Sequence, residues 1–164
     1  MTSKQQLKDR ISEVMEKSKN LPERIIYRDN NFSLEKLQEE AKKELKIDIE
    51  KLTLQQAQNA VMHQRYMRIL EDFIKQLNFY NRIYSELKPL KFEWYKYHYD
   101  FTIENKTEVE MYIKGDGDIL NIQARIDKCN EIIRYLNDTC DDFKNRGFSF
   151  KNIIEWEKFT HGAD

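Results

Sequence analysis

Residues 87–101 read LKPLKFEWYKYHYDF, and six aromatic residues crowd between Phe92 and Phe101 among Lys91, Lys96 and His98. Cations that follow phosphates, with rings on which bases stack, are the chemistry of a single-strand nucleic-acid surface, where each stacked base contributes about 1–3 kcal/mol. The excess of cations extends upstream. From Val61 to Tyr99 there are seven Lys or Arg (Arg65, Arg68, Lys75, Arg82, Lys88, Lys91, Lys96) against four acids (Glu71, Asp72, Glu86, Glu93). The whole chain is nearly neutral, with 28 Lys plus Arg against 29 Asp plus Glu. Bulk attraction to a polyanion is therefore excluded, and such binding would rest on this local patch. Packing of Phe92, Trp94 and Phe101 into a core fits the same spacing, so the residues alone leave the choice open.

Other chemistries find little support. Cys129 and Cys140 lie in one expected helix, separated by roughly 16 Å at a rise of about 1.5 Å per residue, beyond disulfide reach. No His or further Cys stands at ligand spacing from them, so they read as small hydrophobes on a helix seam. His63, His98 and His161 are scattered and have no partner motif for general-base work. Asp116 and Asp118 lack the further oxygens and the distal Glu of a calcium loop and read as helix caps. No Gly is followed by Lys, which removes the phosphate-cradling loop, and no nucleophile elbow is present. We expect no enzyme activity, no cofactor and no metal. The N-terminus MTSKQQLKDR has no apolar signal core and no run is long enough to span a bilayer, so the expectation is a cytosolic protein without a membrane partner.

The elements that must position the 87–101 segment are helical. Hydrophobic residues make up 40% of the 164 residues and charged residues 35%, with only four Gly and two Pro. This is the balance of an all-α chain of one domain. Ser3 caps a first short helix with Leu7, Ile11, Val14 and Met15 on one face, ended by NLP at 20–22. Residues 1–32 then read as an N-terminal arm separate from the main core, with a linker closing on Asn30 and Asn31. Ser33 starts a second helix on Leu34, Leu37, Ala41 and Leu45. Asp48 caps a long third, in which Tyr66, Leu70, Phe73, Leu77, Tyr80, Tyr84 and Leu87 form a heptad seam broadened by Met67 and Ile74. Pro89 should kink or break it around Ser85–Lys88.

Beyond that break, TIENKTEVEMYIK alternates like a short strand or irregular connection. GDGD at 115–118 opens a helix in which Ile119, Ile122, Ile126, Cys129, Ile133, Leu136, Cys140 and Phe143 repeat by threes and fours. NRG at 145–147 offers a C-terminal Gly, and Ser149 a cap for a last helix with Phe150, Ile153, Ile154, Trp156 and Phe159. Two long stripes and an apolar terminal helix, with few other helices to cover them, favour some burial between subunits, with one of the stripes as the interface.

FKNRGFSFKNIIEWEKFTHG (143–162), with its K-x-R-G-F turn, LEKLQEEAKKELKIDIEKL (34–52) and AQNAVM (57–62) resemble the UvsY family, the recombination mediators of T-even-like bacteriophages. The likeness covers about residues 33–162 and leaves 1–32 outside. It implies an elongated all-α subunit assembling into a ring-like homo-oligomer, with a DNA-binding segment at about 61–101 and C-terminal assembly helices at about 118–160, which makes Ile119, Ile122, Ile126, Ile133, Leu136, Phe143, Phe150, Ile153, Ile154 and Trp156 the expected oligomerisation residues. The implied role is non-enzymatic. Such proteins bind single-stranded DNA, weaken its complex with single-strand DNA-binding protein and load a RecA-type recombinase, here in the cytoplasm of an infected bacterial host. The family's basic-aromatic motif falls on Leu87, Lys88, Lys91, Trp94 and Tyr95. Lys91 stands where the family typically has Arg, Pro89 sits inside the spacer, and the loop that follows is less Gly-rich. The likeness tips the choice toward Lys88, Lys91 and Lys96 on phosphates, with Arg65, Arg68, Lys75 and Arg82 extending the track and Trp94, Tyr95 and Tyr97 on bases; Phe92 and Phe101 are expected to pack. The alternative is an oligomeric helical scaffold or adaptor that ignores nucleic acid.

Overall fold

The computed structural model describes residues 2–28 and 32–162. Five α-helices make up the described chain: α1 (Lys4–Ser18), α2 (Leu34–Leu45), α3 (Leu52–Glu93), α4 (Lys106–Gly115) and α5 (Gly117–Thr160). A 3-10 turn at Ile49–Lys51 leads into α3, and a π-helical turn at Trp94–His98 follows it. The all-α class read from composition is the class observed. No helix among the described residues is long and apolar enough to cross a membrane.

The centre is an antiparallel hairpin of α3 and α5, of 42 and 44 residues. Its register is marked by three contacts: Tyr66 stacks on Phe143 at 5.1 Å, Arg125 donates to the Tyr80 hydroxyl at 3.2 Å, and Lys91 meets Asp116 at 2.9 Å. Along the seam Tyr66, Phe73, Tyr80 and Leu87 of α3, and Ile122, Leu136 and Phe143 of α5, are fully buried. Burying each such side chain contributes about 1.5–3 kcal/mol, so the hairpin carries most of the fold. The buried stripe drifts off a strict heptad, as a 3.6-residue helix must over this length. On α5 it is Ile132 that is buried and Ile133 only half-buried. On α3, Ile69 and Ile83 broaden the seam, while Met67 and Ile74 are 36% and 40% exposed.

This hairpin overturns several local expectations. Pro89 lies inside α3, which continues to Glu93. A proline there costs about 3 kcal/mol, and burial of its neighbours Leu87 and Leu90 offsets that cost. Residues 106–115 are helix, not strand: the Asn105 side chain accepts from the amide of Glu108, and Val109 and Ile113 point one turn apart into the core. NRG does not end a helix, and α5 runs through it to Thr160. Ser149 caps nothing and instead donates to the carbonyl of Asn145 at 3.2 Å. Arg146 is buried and lies 4.8 Å over the Phe150 ring, and its Nη2 faces the Lys46 carbonyl at 3.4 Å. Asn59 donates to the Phe143 carbonyl at 2.9 Å, beside Gly147. Tertiary contacts on both sides of Gly147 thus hold the helix where local rules would stop it.

The N-terminal residues are not a separate arm. Leu7, Val14, Leu21 and Ile25 join the same core, and α1 packs along α3. The Asp72 carboxylate accepts from the amides of Ile26 and Tyr27 at 3.0 and 3.2 Å, and the Gln76 amide donates to the Tyr27 carbonyl. Ser3 forms the expected cap, in a full capping box with Gln6. The proposed linker at Asn30 and Asn31 lies outside the described residues. As an interior helical position, Gly147→Ala is expected to raise stability in urea by about 0.5–1 kcal/mol, since the new Cβ would meet only Asn59 Nδ2 at 3.4 Å. A loss of that size would indicate a left-handed cap instead.

Candidate nucleic-acid interface

The 87–101 segment sits where the end of α3 meets the start of α5. Asp116 caps α5 with one carboxylate oxygen, accepting from the amides of Asp118 and Ile119 at 2.9 and 3.2 Å. Its other oxygen accepts from Lys91 Nζ at 2.9 Å and from the Tyr95 hydroxyl at 2.8 Å. Lys91 also reaches Asp118 at 2.6 Å. The side chains of Lys91 and Asp116 are each only 9% exposed. Burial works to raise the Asp116 pKa, but the Lys91 ammonium and the Tyr95 hydroxyl outweigh it and hold the carboxyl below its ordinary value. Burial, and then the bond to Asp116, pushes the Tyr95 phenol well up, so it stays a neutral donor.

The rings divide into two groups. Tyr95, Tyr99, Phe101 and Tyr112 contact one another with centroids 4.9–5.7 Å apart. Tyr95 is consumed there, whereas Phe101, expected to pack, is 51% exposed at the edge of the cluster. Phe92 is half-buried against the core as expected. Trp94 and Tyr97 lie on the π-helical turn. Trp94 is half-buried, with Lys4 and Lys8 of α1 at 5.4 and 5.5 Å from its ring centroid and His98 beside it at 6.3 Å. Tyr97 is 54% exposed.

The cations divide likewise. Lys88, Arg68 and Arg82 are exposed. Lys91 is buried in its ion pair, and Lys96 donates to the carbonyls of Ile103 and Glu104 at 3.0 and 2.8 Å, tying down the loop before α4. Arg65 is held by Glu40 and Glu44 at 2.9 and 2.8 Å, and Lys75 stands 3.5 Å from Asp72. Of the expected DNA-contacting residues, Lys91 is therefore structural, because a buried, fully paired ammonium does not reach a strand, and half-buried Tyr95 is engaged in the fold through its hydroxyl on Asp116 and its ring in the cluster. Lys4 and Lys8 were missed. Their i, i+4 spacing on a polar helix face is common, and only the docking of α1 puts them at Trp94.

The expected oligomerisation residues also separate. Ile119, Ile122, Ile126, Leu136, Phe143 and Phe150 are buried within the subunit, so this part of the stripe is core and does not face a partner. Ile133, Ile153 and Ile154 are half-buried. At the far end of the hairpin Trp156, Phe159 and Phe148 are 65%, 81% and 69% exposed, and Ile49 and Leu54, at 68% and 56%, line a groove there with Ile154, Glu157 and Lys158.

Residues 40–163 match the family profile described as "Recombination, repair and ssDNA binding protein UvsY". The chain belongs to the UvsY family. The recombination protein UvsY of Enterobacteria phage T4 is 26% identical over 137 residues, 79% of this chain and 98% of that protein. A crystal structure of the bacteriophage T4 recombination mediator protein UvsY shares the fold, with a TM-score of 0.74, 23% identity and coverage of 80% of this chain and 100% of that one. A second crystal form gives 0.72 at 22% identity, covering 79% and 99%. This UvsY-family chain is therefore all-α, and its family's work is recombination, repair and single-stranded-DNA binding.

Asp116 makes a pH prediction. A carboxyl held below its unfolded pKa stabilises the fold above that value, and the contribution is lost as pH falls through the folded pKa. Asp116→Asn is expected to cost about 1.5–3 kcal/mol at pH 7, since it removes one of the two carboxylates that neutralise the buried Lys91 ammonium and leaves Asp118 alone to do so. The deficit should shrink as pH falls below about 4, where the carboxyl of the unfolded chain takes up its proton while the folded one, held lower, follows only at more acid pH. A deficit that is independent of pH between 7 and 3 in urea melts would contradict this.

Proposed function

We propose that this protein is a non-enzymatic recombination mediator that binds single-stranded DNA, weakens its complex with single-strand DNA-binding protein and promotes loading of a RecA-type recombinase in the cytoplasm of an infected bacterial host. The observation that carries the reading is the end of the hairpin at the π-helical turn, where exposed Lys88, Tyr97 and Phe101 accompany Trp94 in a chain of the UvsY family. The T4 protein, described as a recombination mediator, supports the finer role. Each site is small. Copies joined in a ring would present many such sites to one strand, and the gain in effective concentration makes weak sites sufficient.

The surface for that assembly is at the opposite end of the hairpin. Phe148, Trp156 and Phe159 recur at helical spacing on one face of α5 and are left exposed, the kind of apolar patch that marks a protein interface. Assembly through this end would leave the π-helical turns free to face DNA. The competing reading is a scaffold that ignores DNA. It draws support from the capture of Lys91, Lys96 and Arg65 by the protein's own groups.

Anisotropy of a labelled oligothymidylate across a salt series separates the two. The mediator reading expects affinity to fall with salt by a log–log slope of about 0.7 per phosphate neutralised. Lys88→Ala should flatten the slope by about that amount, and Tyr97→Ala should weaken binding by about 1–3 kcal/mol with the slope unchanged. Absence of salt-sensitive binding by the wild type would leave the scaffold. For assembly, Trp156→Ser/Phe159→Ser is expected to reduce the native mass toward that of the 20.0 kDa chain; an unchanged assembly would place the interface elsewhere.

A further inference from the structure

The profile match to the UvsY family begins at residue 40, so α1 lies outside it. The T4 relative, matched over 98% of its own length, leaves about a fifth of this chain without a counterpart. Yet α1 is built into the fold at the candidate interface. Leu7 is fully buried and Val14 is 6% exposed, and the amide of Thr2 donates to Glu93 at 3.3 Å. These contacts fix the polar face of α1 beside the last turn of α3. On that face Lys4 and Lys8, one helical turn apart, hold their ammonium groups 5.4 and 5.5 Å from the Trp94 ring centroid. Both are exposed. Lys4 has one surface carboxylate nearby, Asp100 at 3.8 Å, itself 90% exposed, and a pair so exposed exchanges readily for another anion.

We infer that α1 is a second half of the single-stranded-DNA site: Lys4 and Lys8 bind backbone phosphates beside Trp94 and supply the cations that Lys91 and Lys96 do not. The inference rests on the DNA-binding reading above and deepens it. Lys91 is neutralised by Asp116 and Asp118, and Lys96 is spent on two loop carbonyls. A strand whose bases meet Tyr97 and Trp94 would therefore find, in addition to Lys88, two exposed cations on α1 beside the Trp94 ring. Single-strand sites pair a cationic track with rings in this way. The preorganisation is physical, because α1 is anchored by its apolar face and needs no ordering when DNA arrives.

The test compares three full-length proteins by anisotropy of a labelled oligothymidylate across a salt series: wild type, Lys4→Gln/Lys8→Gln, and Lys17→Gln/Lys19→Gln. The last removes the same charge from the far end of α1. Matched thermal melts confirm that each is folded. The expected result is a slope at least about 1.4 smaller for Lys4→Gln/Lys8→Gln, two phosphates at about 0.7 each, and a wild-type slope for the control. An unchanged slope overturns the inference while leaving the DNA-binding reading intact. Equal losses in both variants reduce the effect to net charge and overturn it too. Tighter binding by Lys4→Gln/Lys8→Gln would mean that the lysines shield Trp94 from bases, which also overturns it. Absence of binding by the wild type fails the DNA-binding reading, and the inference with it.

Discussion

A lysine ammonium withdrawn from water is tolerated only where carboxylates and hydrogen bonds replace its solvation. Lys91 meets that condition at a single place, between Asp116 and Asp118, with Tyr95 completing the set on Asp116. Because Lys91 is near the end of α3 and Asp116 caps the start of α5, satisfying this one charge pins the two long helices at their junction. The rest of the hairpin follows from that register. Tyr80 falls opposite Arg125, Tyr66 opposite Phe143, and Asn59 beside Gly147. A slip of one turn would bring each buried ring against a different face.

The same interaction decides which part of the basic-aromatic segment remains available to a ligand. Lys91, Tyr95 and Lys96 close the α3–α4–α5 junction, while Lys88, Tyr97 and Phe101 face outward. The segment therefore has two jobs on interleaved residues, holding the hairpin together and presenting a surface. The hairpin then separates its ends. The basic and aromatic end carries the candidate DNA site, and the other carries exposed Phe148, Trp156 and Phe159. A polar, cationic site and an apolar assembly face interfere least when a helix of roughly 60 Å stands between them.

Sequence reading succeeded where the governing physics is local. Ser3, Ser33 and Asp116 cap helices because their side chains reach amides two or three residues away. The stripes of α3 and α5 were legible from spacing. It failed where distant contacts decide. Gly147 and Pro89 look like terminators, but Asn59, Phe150, Leu87 and Leu90 keep both helices running. Helix α4 was missed although Asn105 and Glu108 stand at capping-box spacing, because alternation of Val109, Met111 and Ile113 imitated a strand. In the candidate site, Lys88 and Tyr97 were identifiable from type and position. That Lys91 is spoken for by residues 25 and 27 positions away, and that Lys4 and Lys8 arrive from the opposite end of the chain, is a property of the tertiary fold.

The central claim is that the motif lysine Lys91 serves the fold through Asp116. A double-mutant cycle measures it most directly: urea unfolding of wild type, Lys91→Met, Asp116→Asn and the pair of substitutions together. Each single change is expected to be strongly destabilising and the double change to cost much less than their sum, with a coupling energy above about 1 kcal/mol. Additive losses, with a coupling near zero, would contradict the account and return Lys91 to the surface as a contact for DNA.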